Sequence, residues 1–221
     1  MLSLKNVCVD IAGIPVLRQV TAEFRKSNIY AIIGRNGAGK TTLLRTVMGL
    51  IPVRSGEIFL DDQDLMTSPS HKRASLGVGY APEERVLFPT LTTLENLRLP
   101  CESLSLSRSE IARRVDEVIE VLPKVKELLP RSAAALSGGQ GKIAALARSL
   151  MVGTNLVLVD EPFQGLAPVL AREFAEALSK IFQMRPELCI VITESNGSLL
   201  DRVDCTMMNL ERGELKVESN Q

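Results

Sequence analysis

The sequence predicts an α/β protein built on a mostly parallel sheet. Three observations carry this expectation. Short apolar segments alternate with helical patterns along the chain. The glycine-rich stretch Gly34-Arg35-Asn36-Gly37-Ala38-Gly39-Lys40-Thr41-Thr42 sits between one such segment and one such pattern. The apolar residues 156–159 run straight into Asp160 and Glu161. A buried parallel strand delivers side chains to the ligand edge of its sheet in that way.

In chain order, residues 4–9, 16–20 and 29–33 read as strands, with turn signals at Gly13 and at Lys26-Ser27-Asn28. Residues 41–50 carry Leu43, Leu44, Val47, Met48 and Leu50 at helical spacing. A short strand over 57–60 turns at Asp61-Asp62. Residues 78–81 form a buried strand ended by Pro82, and 83–93 a loop. Helices are expected near 93–99 and over 108–122, the second with Ser107 and Glu110 at capping-box spacing. Residues 123–135 read as a connector and 140–151 as a helix. After the strand at 156–159 come a helix over 167–184, a strand over 189–193, a short helix over 198–202 and small strands to the end.

Composition narrows the function classes. A chain of 221 residues suits one domain with its own core. Its 26 basic and 26 acidic side chains cancel, which argues against nucleic-acid binding through bulk positive charge. No apolar run approaches the roughly 18 residues of a membrane span, and the N-terminus lacks a secretory pattern. Cys8, Cys101, Cys189 and Cys205 are scattered without a C-x-x-C pair, so neither a zinc site nor a disulfide framework is expected. A reducing compartment fits best. His71 and Arg113-Arg114 read as solvated surface, and Met207-Met208 as a buried strand.

Residues 34–42 match G-x-x-x-x-G-K-[ST] between a strand and a helix. Glycines let backbone N–H groups turn inward as an anion nest, and the helix start adds positive potential. Lys40 can reach outer phosphates and the Thr41 hydroxyl can ligate magnesium. At the acidic strand end, Asp160 can hold magnesium directly or through water. Glu161 can orient or deprotonate an attacking water. Ser137, Gly138 and Gly139, followed by Gln140, place a hydroxyl and free N–H groups at another helix start. Two phosphate-binding elements in one chain suggest a nucleotide sandwiched between two chains.

These stretches together resemble the ATP-binding cassette (ABC) ATPases. Residues 34–42 look like the Walker A motif, 136–140 like the ABC signature, and 156–161 like Walker B with its catalytic glutamate. The resemblance covers essentially the whole chain and implies a single ABC ATPase domain. Residues 1–84 and 151–221 would form a P-loop core with an N-terminal antiparallel β subdomain. Residues 85–150 would form an inserted helical subdomain carrying the signature. It also implies ATP and Mg2+, and a head-to-tail dimer with a second ATPase subunit, homo- or heteromeric. In that dimer Ser137, Gly138 and Gly139 of one chain close on the γ-phosphate held by the other.

Within the family, the chain is most similar to the ATPase subunits of branched-chain amino-acid importers. Residues 81–89 with Thr92-Thr93-Leu94-Glu95-Asn96-Leu97, and Gly165-Leu166-Ala167-Pro168, carry this likeness. Urea and amide importers share these features. The implied partners are transmembrane permease subunits and, indirectly, a solute-binding protein. The implied location is peripheral, on the cytoplasmic face of the plasma membrane.

Four positions depart from the family pattern. Ile11 stands where an aromatic side chain stacks on adenine, Glu83 at the Q-loop glutamine, Ala167 at the D-loop aspartate, and Glu194 at the switch histidine. Glu83 keeps an oxygen able to meet magnesium or water. An ionised Glu194 would repel a γ-phosphate by ~4 kcal/mol at 4 Å and an effective dielectric constant near 20. It is therefore protonated, turned away, or bridged by magnesium or water. Slow hydrolysis by the isolated subunit is the expectation. The alternatives to a transporter motor are a non-transport ABC ATPase of the iron–sulfur assembly type and a weakly hydrolysing regulatory cassette.

Overall fold

The N-terminal apolar segments pair with each other and with the segment near residue 57, forming a sheet of their own. The computed structural model describes residues 1–84, 87–200 and 203–217. Strand β1 (Leu2–Ile11) lies antiparallel between β2 (Ile14–Phe24) and β4 (Ser55–Leu60), and β5 (Gln63–Asp64) completes four strands. β1 and β2 run longer than their alternation suggests. Cross-strand pairing carries them through register shifts after Leu4, Val7 and Val9, where the apolar pattern breaks.

The second sheet has six strands. These are β3 (Asn28–Ile33), β6 (Val78–Ala81), β7 (Leu156–Asp160), β8 (Cys189–Glu194), β9 (Thr206–Glu211) and β10 (Glu214–Val217). Their order is β10-β9-β3-β8-β7-β6, and all neighbours are parallel except the β9–β10 hairpin. The central strands are apolar on both faces because both faces are covered. Ala31, Val157, Val159, Ile190 and Ile192 face one core. Tyr30, Ile32, Leu156, Leu158 and Val191 face the other, together with the antiparallel sheet.

Helix α1 (Lys40–Val47) follows β3 and ends three residues before the expected Leu50, where Gly49 closes the turn with its N–H on Thr46. Buried Arg73 also donates to the Val47 carbonyl at 2.9 Å, and to Leu65 and Ser68. Between β6 and β7 come α2 (Thr93–Ser103), α3 (Arg108–Val121), α4 (Val125–Leu128) and α5 (Gly138–Val152). α2 runs past Pro100, beyond the expected end at 99, because Leu97 and Cys101 are buried in the helical core. α4 is a helical turn inside the expected connector.

Ser107 caps α3, but Glu110 turns its carboxylate to Arg113 and Arg114 instead of closing a capping box. Arg114 also donates to the Met151 carbonyl, so it ties α3 to α5 and is not a solvated side chain. α6 (Pro168–Met184) precedes β8. The short helix expected over 198–202 is a 3-10 turn, Gly197–Leu200, with Asp201 and Arg202 outside the described residues. All four cysteines are free thiols, three of them buried. No helix among the described residues is long and apolar enough to cross a membrane.

Candidate functional site

The loop between β3 and α1 folds as a nest. Gly37 and Gly39 take φ of 81° and 108°, backbone that L side chains adopt with strain. A Cβ on Gly39 would also lie 2.9 Å from the Leu17 side chain. No side chain caps α1, so its first N–H groups remain available to an anion. The cleft over this loop measures about 540 Å3. Asn36, Gly37, Gly39, Lys40, Thr41 and Thr42 line it, together with Glu83, Glu161 and Gln164. Gly34 and Ala38 shape the loop from beneath, both buried. Ile11, Ile14 and Val16 form the apolar end.

Two of these side chains meet out of water. Lys40 Nζ lies 2.9 Å from Glu161 Oε1, with side-chain exposures of 4% and 6%. It also donates to the Gly34 carbonyl at 2.6 Å and the Arg35 carbonyl at 3.3 Å. Glu161 adopts φ 43°, a strained conformation that recurs at functional sites. Its N–H donates to Thr193, and its Oε2 accepts the Ser195 hydroxyl at 2.9 Å. The neighbouring Asp160 is buried and accepts the Thr193 hydroxyl at 2.5 Å and the Tyr80 hydroxyl at 3.4 Å. Burial, then the Asp160 charge, pushes the Tyr80 hydroxyl pKa up, so it stays a donor.

Strand alternation separates the residues at the end of β8. Thr193 lies on the face shared with Asp160, and Glu194 on the opposite face with Ile190 and Ile192. Glu194 is fully buried and does not line the cleft. Its Oε1 accepts the Phe163 N–H at 2.7 Å, and its Oε2 has no hydrogen-bond partner. Burial pushes its pKa up to about 7, with the Glu161 charge adding to the shift. The side chain is turned away from the cleft of Lys40, which is one of the three alternatives above. Ser195 is the side chain that reaches Glu161 from this strand end. Nothing in the apolar run 189–193 singles out Ser195, whose role follows only from the fold that brings it to Glu161.

Ser137 caps α5 through a reciprocal box. Its hydroxyl accepts from the Gln140 N–H, and its own N–H donates to Gln140 Oε1. That box starts the helix two residues before the expected Gln140. Gln140 is thereby committed to the cap, with Arg131 as a further donor. Ser137 and Gly138 are exposed, and neither they nor Gly139 line the cleft of Lys40. Ala167 precedes α6 as a cap without a side-chain bond. Arg85 and Val86, in the loop that carries Glu83, lie outside the described residues. Thr41 lines the cleft of Lys40, whereas buried Asp160 does not and gives its carboxylate to Thr193 and Tyr80; hydroxyl and carboxylate oxygens of this kind are the hard donors that magnesium takes.

The polar groups converging here suit a polyphosphate and the water that attacks it, and they define a P-loop nucleoside triphosphatase. The chain belongs to the ABC transporter family, whose description matches residues 17–164, and it is an ATPase of that family. It is 34% identical, over 82% of its length and 75% of the relative's, to a probable branched-chain amino acid transport ATP-binding protein of Archaeoglobus fulgidus. It is 31% identical, over 97% of its length and 91% of the relative's, to a high-affinity branched-chain amino acid transport ATP-binding protein of Pseudomonas aeruginosa. ATP-binding proteins of spermidine/putrescine import (Thermotoga maritima) and lipopolysaccharide export (Escherichia coli) match at 33% identity, the first over 91% of this chain and 54% of its own, the second over 76% and 70%. The solved structure of an ATP-binding subunit of an ABC transporter superposes with a TM-score of 0.86 at 26% identity, covering 100% of this chain and 90% of that one.

Proposed function

We propose that this chain is the ATP-hydrolysing subunit of a membrane importer for branched-chain amino acids or a similar small polar solute. The observation that carries the hydrolytic part is the buried Lys40–Glu161 pair in the glycine-lined cleft. The two relatives named for branched-chain amino acid transport support the substrate. Residues 1–84 and 151–221 act as the nucleotide-binding core with its β subdomain, and 85–150 as the helical part that meets the membrane subunits. The working unit is a dimer with a second cassette, homo- or heteromeric. It sits on the cytoplasmic face of two permease subunits that receive solute from a binding protein.

ATP enters as substrate, its phosphates taken by the N–H groups of residues 36–42. Lys40 exchanges Glu161 and its two carbonyl partners for the outer phosphate oxygens. Glu161, released from the lysine, accepts a proton from the attacking water, and the products are ADP and phosphate. Thr41 and Asp160 would hold magnesium, with Glu83 in reach of the metal or its water; the ion, when bound, draws charge from the phosphate oxygens. Ser137, Gly138 and Gly139 face outward as donors for the partner's nucleotide.

ATP-driven uptake of labelled leucine into vesicles holding the assembled transporter tests this reading. Uptake that Glu161→Gln abolishes supports it. Persistent ATPase activity with no leucine uptake moves the substrate elsewhere, and undiminished turnover in Glu161→Gln removes Glu161 as the base.

A further inference from the structure

Glu83 and Gln164 line two clefts at once. One is the cleft of Lys40; the other, of about 710 Å3, is lined on its far side by Leu136, Gly141 and Lys142. The pair is thus the wall between them. Glu161 completes the wall on the first side, so two carboxylates face the same small region and repel each other when both are ionised.

A single side chain bridges them. With its amide nitrogen toward the carboxylates, Gln164 donates to Glu83 Oε1 at 2.7 Å and to Glu161 Oε2 at 3.1 Å. The opposite orientation would set the amide oxygen against two acceptors, so hydrogen-bond chemistry selects the first. The backbone of the same loop is held from α5, where Lys142 Nζ donates to the Glu161 carbonyl at 2.6 Å and the Gln164 carbonyl at 2.8 Å. Glu161 itself sits in left-handed backbone, so the aim of its carboxylate depends on what holds it.

We propose that Gln164 is a positioning residue for Glu161. Its amide fastens that carboxylate to Glu83 and so ties the aim of the base to the loop that follows β6. The inference rests on the reading of Glu161 as the base. Two charged acceptors need a shared donor. A methionine at this place offers none, and a glutamate adds a third negative charge.

The test compares kcat, KM and nucleotide affinity of Gln164→Met, Gln164→Glu and Glu161→Gln in the full chain. Gln164 is exposed, so folding tolerates both of its variants. Nucleotide affinity is expected to stay within about twofold, while kcat falls about tenfold in Gln164→Met and about a hundredfold in Gln164→Glu. Glutamate matches glutamine in shape, so a packing role would make Gln164→Glu the milder change. Wild-type kcat in Gln164→Glu, or a loss in Gln164→Met that falls equally on kcat and on nucleotide affinity, overturns the inference. Undiminished turnover in Glu161→Gln instead overturns the reading of the base, and this inference with it.

Discussion

Lys40 and Glu161 form a 2.9 Å ion pair sealed from solvent at the bottom of the nucleotide cleft. The lysine therefore holds the base when no phosphate competes for it. A pair this dry is costly to break on one side only, since the survivor remains a buried charge.

Lys40→Met removes both the phosphate ligand and the partner of Glu161. Turnover falls at least about a hundredfold, since a charge that stabilises the transferring phosphoryl group is lost. The chain also loses stability, because the Glu161 carboxylate is left without its cation. Steady-state ATPase kinetics and urea unfolding read the two effects separately.

Ser195→Ala deletes one donor to Glu161 Oε2 and leaves Lys40 in place. The expected result is a drop in kcat of about tenfold with KM for ATP unchanged, because the hydroxyl touches the base and not the P-loop. Ser195→Thr retains the hydroxyl and most of the rate.

Glu194 makes stability depend on pH. Its folded pKa is raised from 4.5 to about 7, so the folded chain holds this proton more tightly than the unfolded one. The contribution is fully present below the unfolded value of 4.5 and is lost as pH rises through about 7. Over that window the loss is about 3 kcal/mol. Glu194→Gln keeps the acceptor for the Phe163 N–H and removes the titration. Unfolding midpoints of wild type and variant should converge near pH 4.5 and separate toward pH 8, with the variant more stable.

Arg73 joins α1 to the segment after β5 by donating to the carbonyls of Val47, Ser68 and Leu65. Arg73→Met leaves these acceptors without their donor in a buried site and costs about 3 kcal/mol. Equilibrium unfolding measures it, and Arg73→Lys recovers only part, since one ammonium cannot match the guanidinium fork.

The phosphate loop, the acidic strand end and the capped Ser-Gly-Gly turn were legible because each is a local device. Backbone freedom, helix caps and apolar runs act within a few residues. The alternation of strand and helix likewise pointed to a mostly parallel sheet. The separate antiparallel sheet came from family resemblance, since nothing in residues 4–20 says which partner each strand will choose. Ser195 and Gln164 were missed for a related reason. A serine after a strand and a glutamine in a loop are ordinary until folding brings both to one carboxylate.

The sequence by itself determined the chemical inventory: an anion nest, a lysine, two carboxylates on one strand and a second donor-bearing helix start. Only the tertiary structure decided which of them meet. It set Lys40 against Glu161, turned Glu194 into the core and Ser195 onto the base, and left Ser137 outside the lining of the cleft. The reason is that β3, β7 and β8 lie side by side only through long-range pairing, and the pleat then sends successive residues to opposite faces.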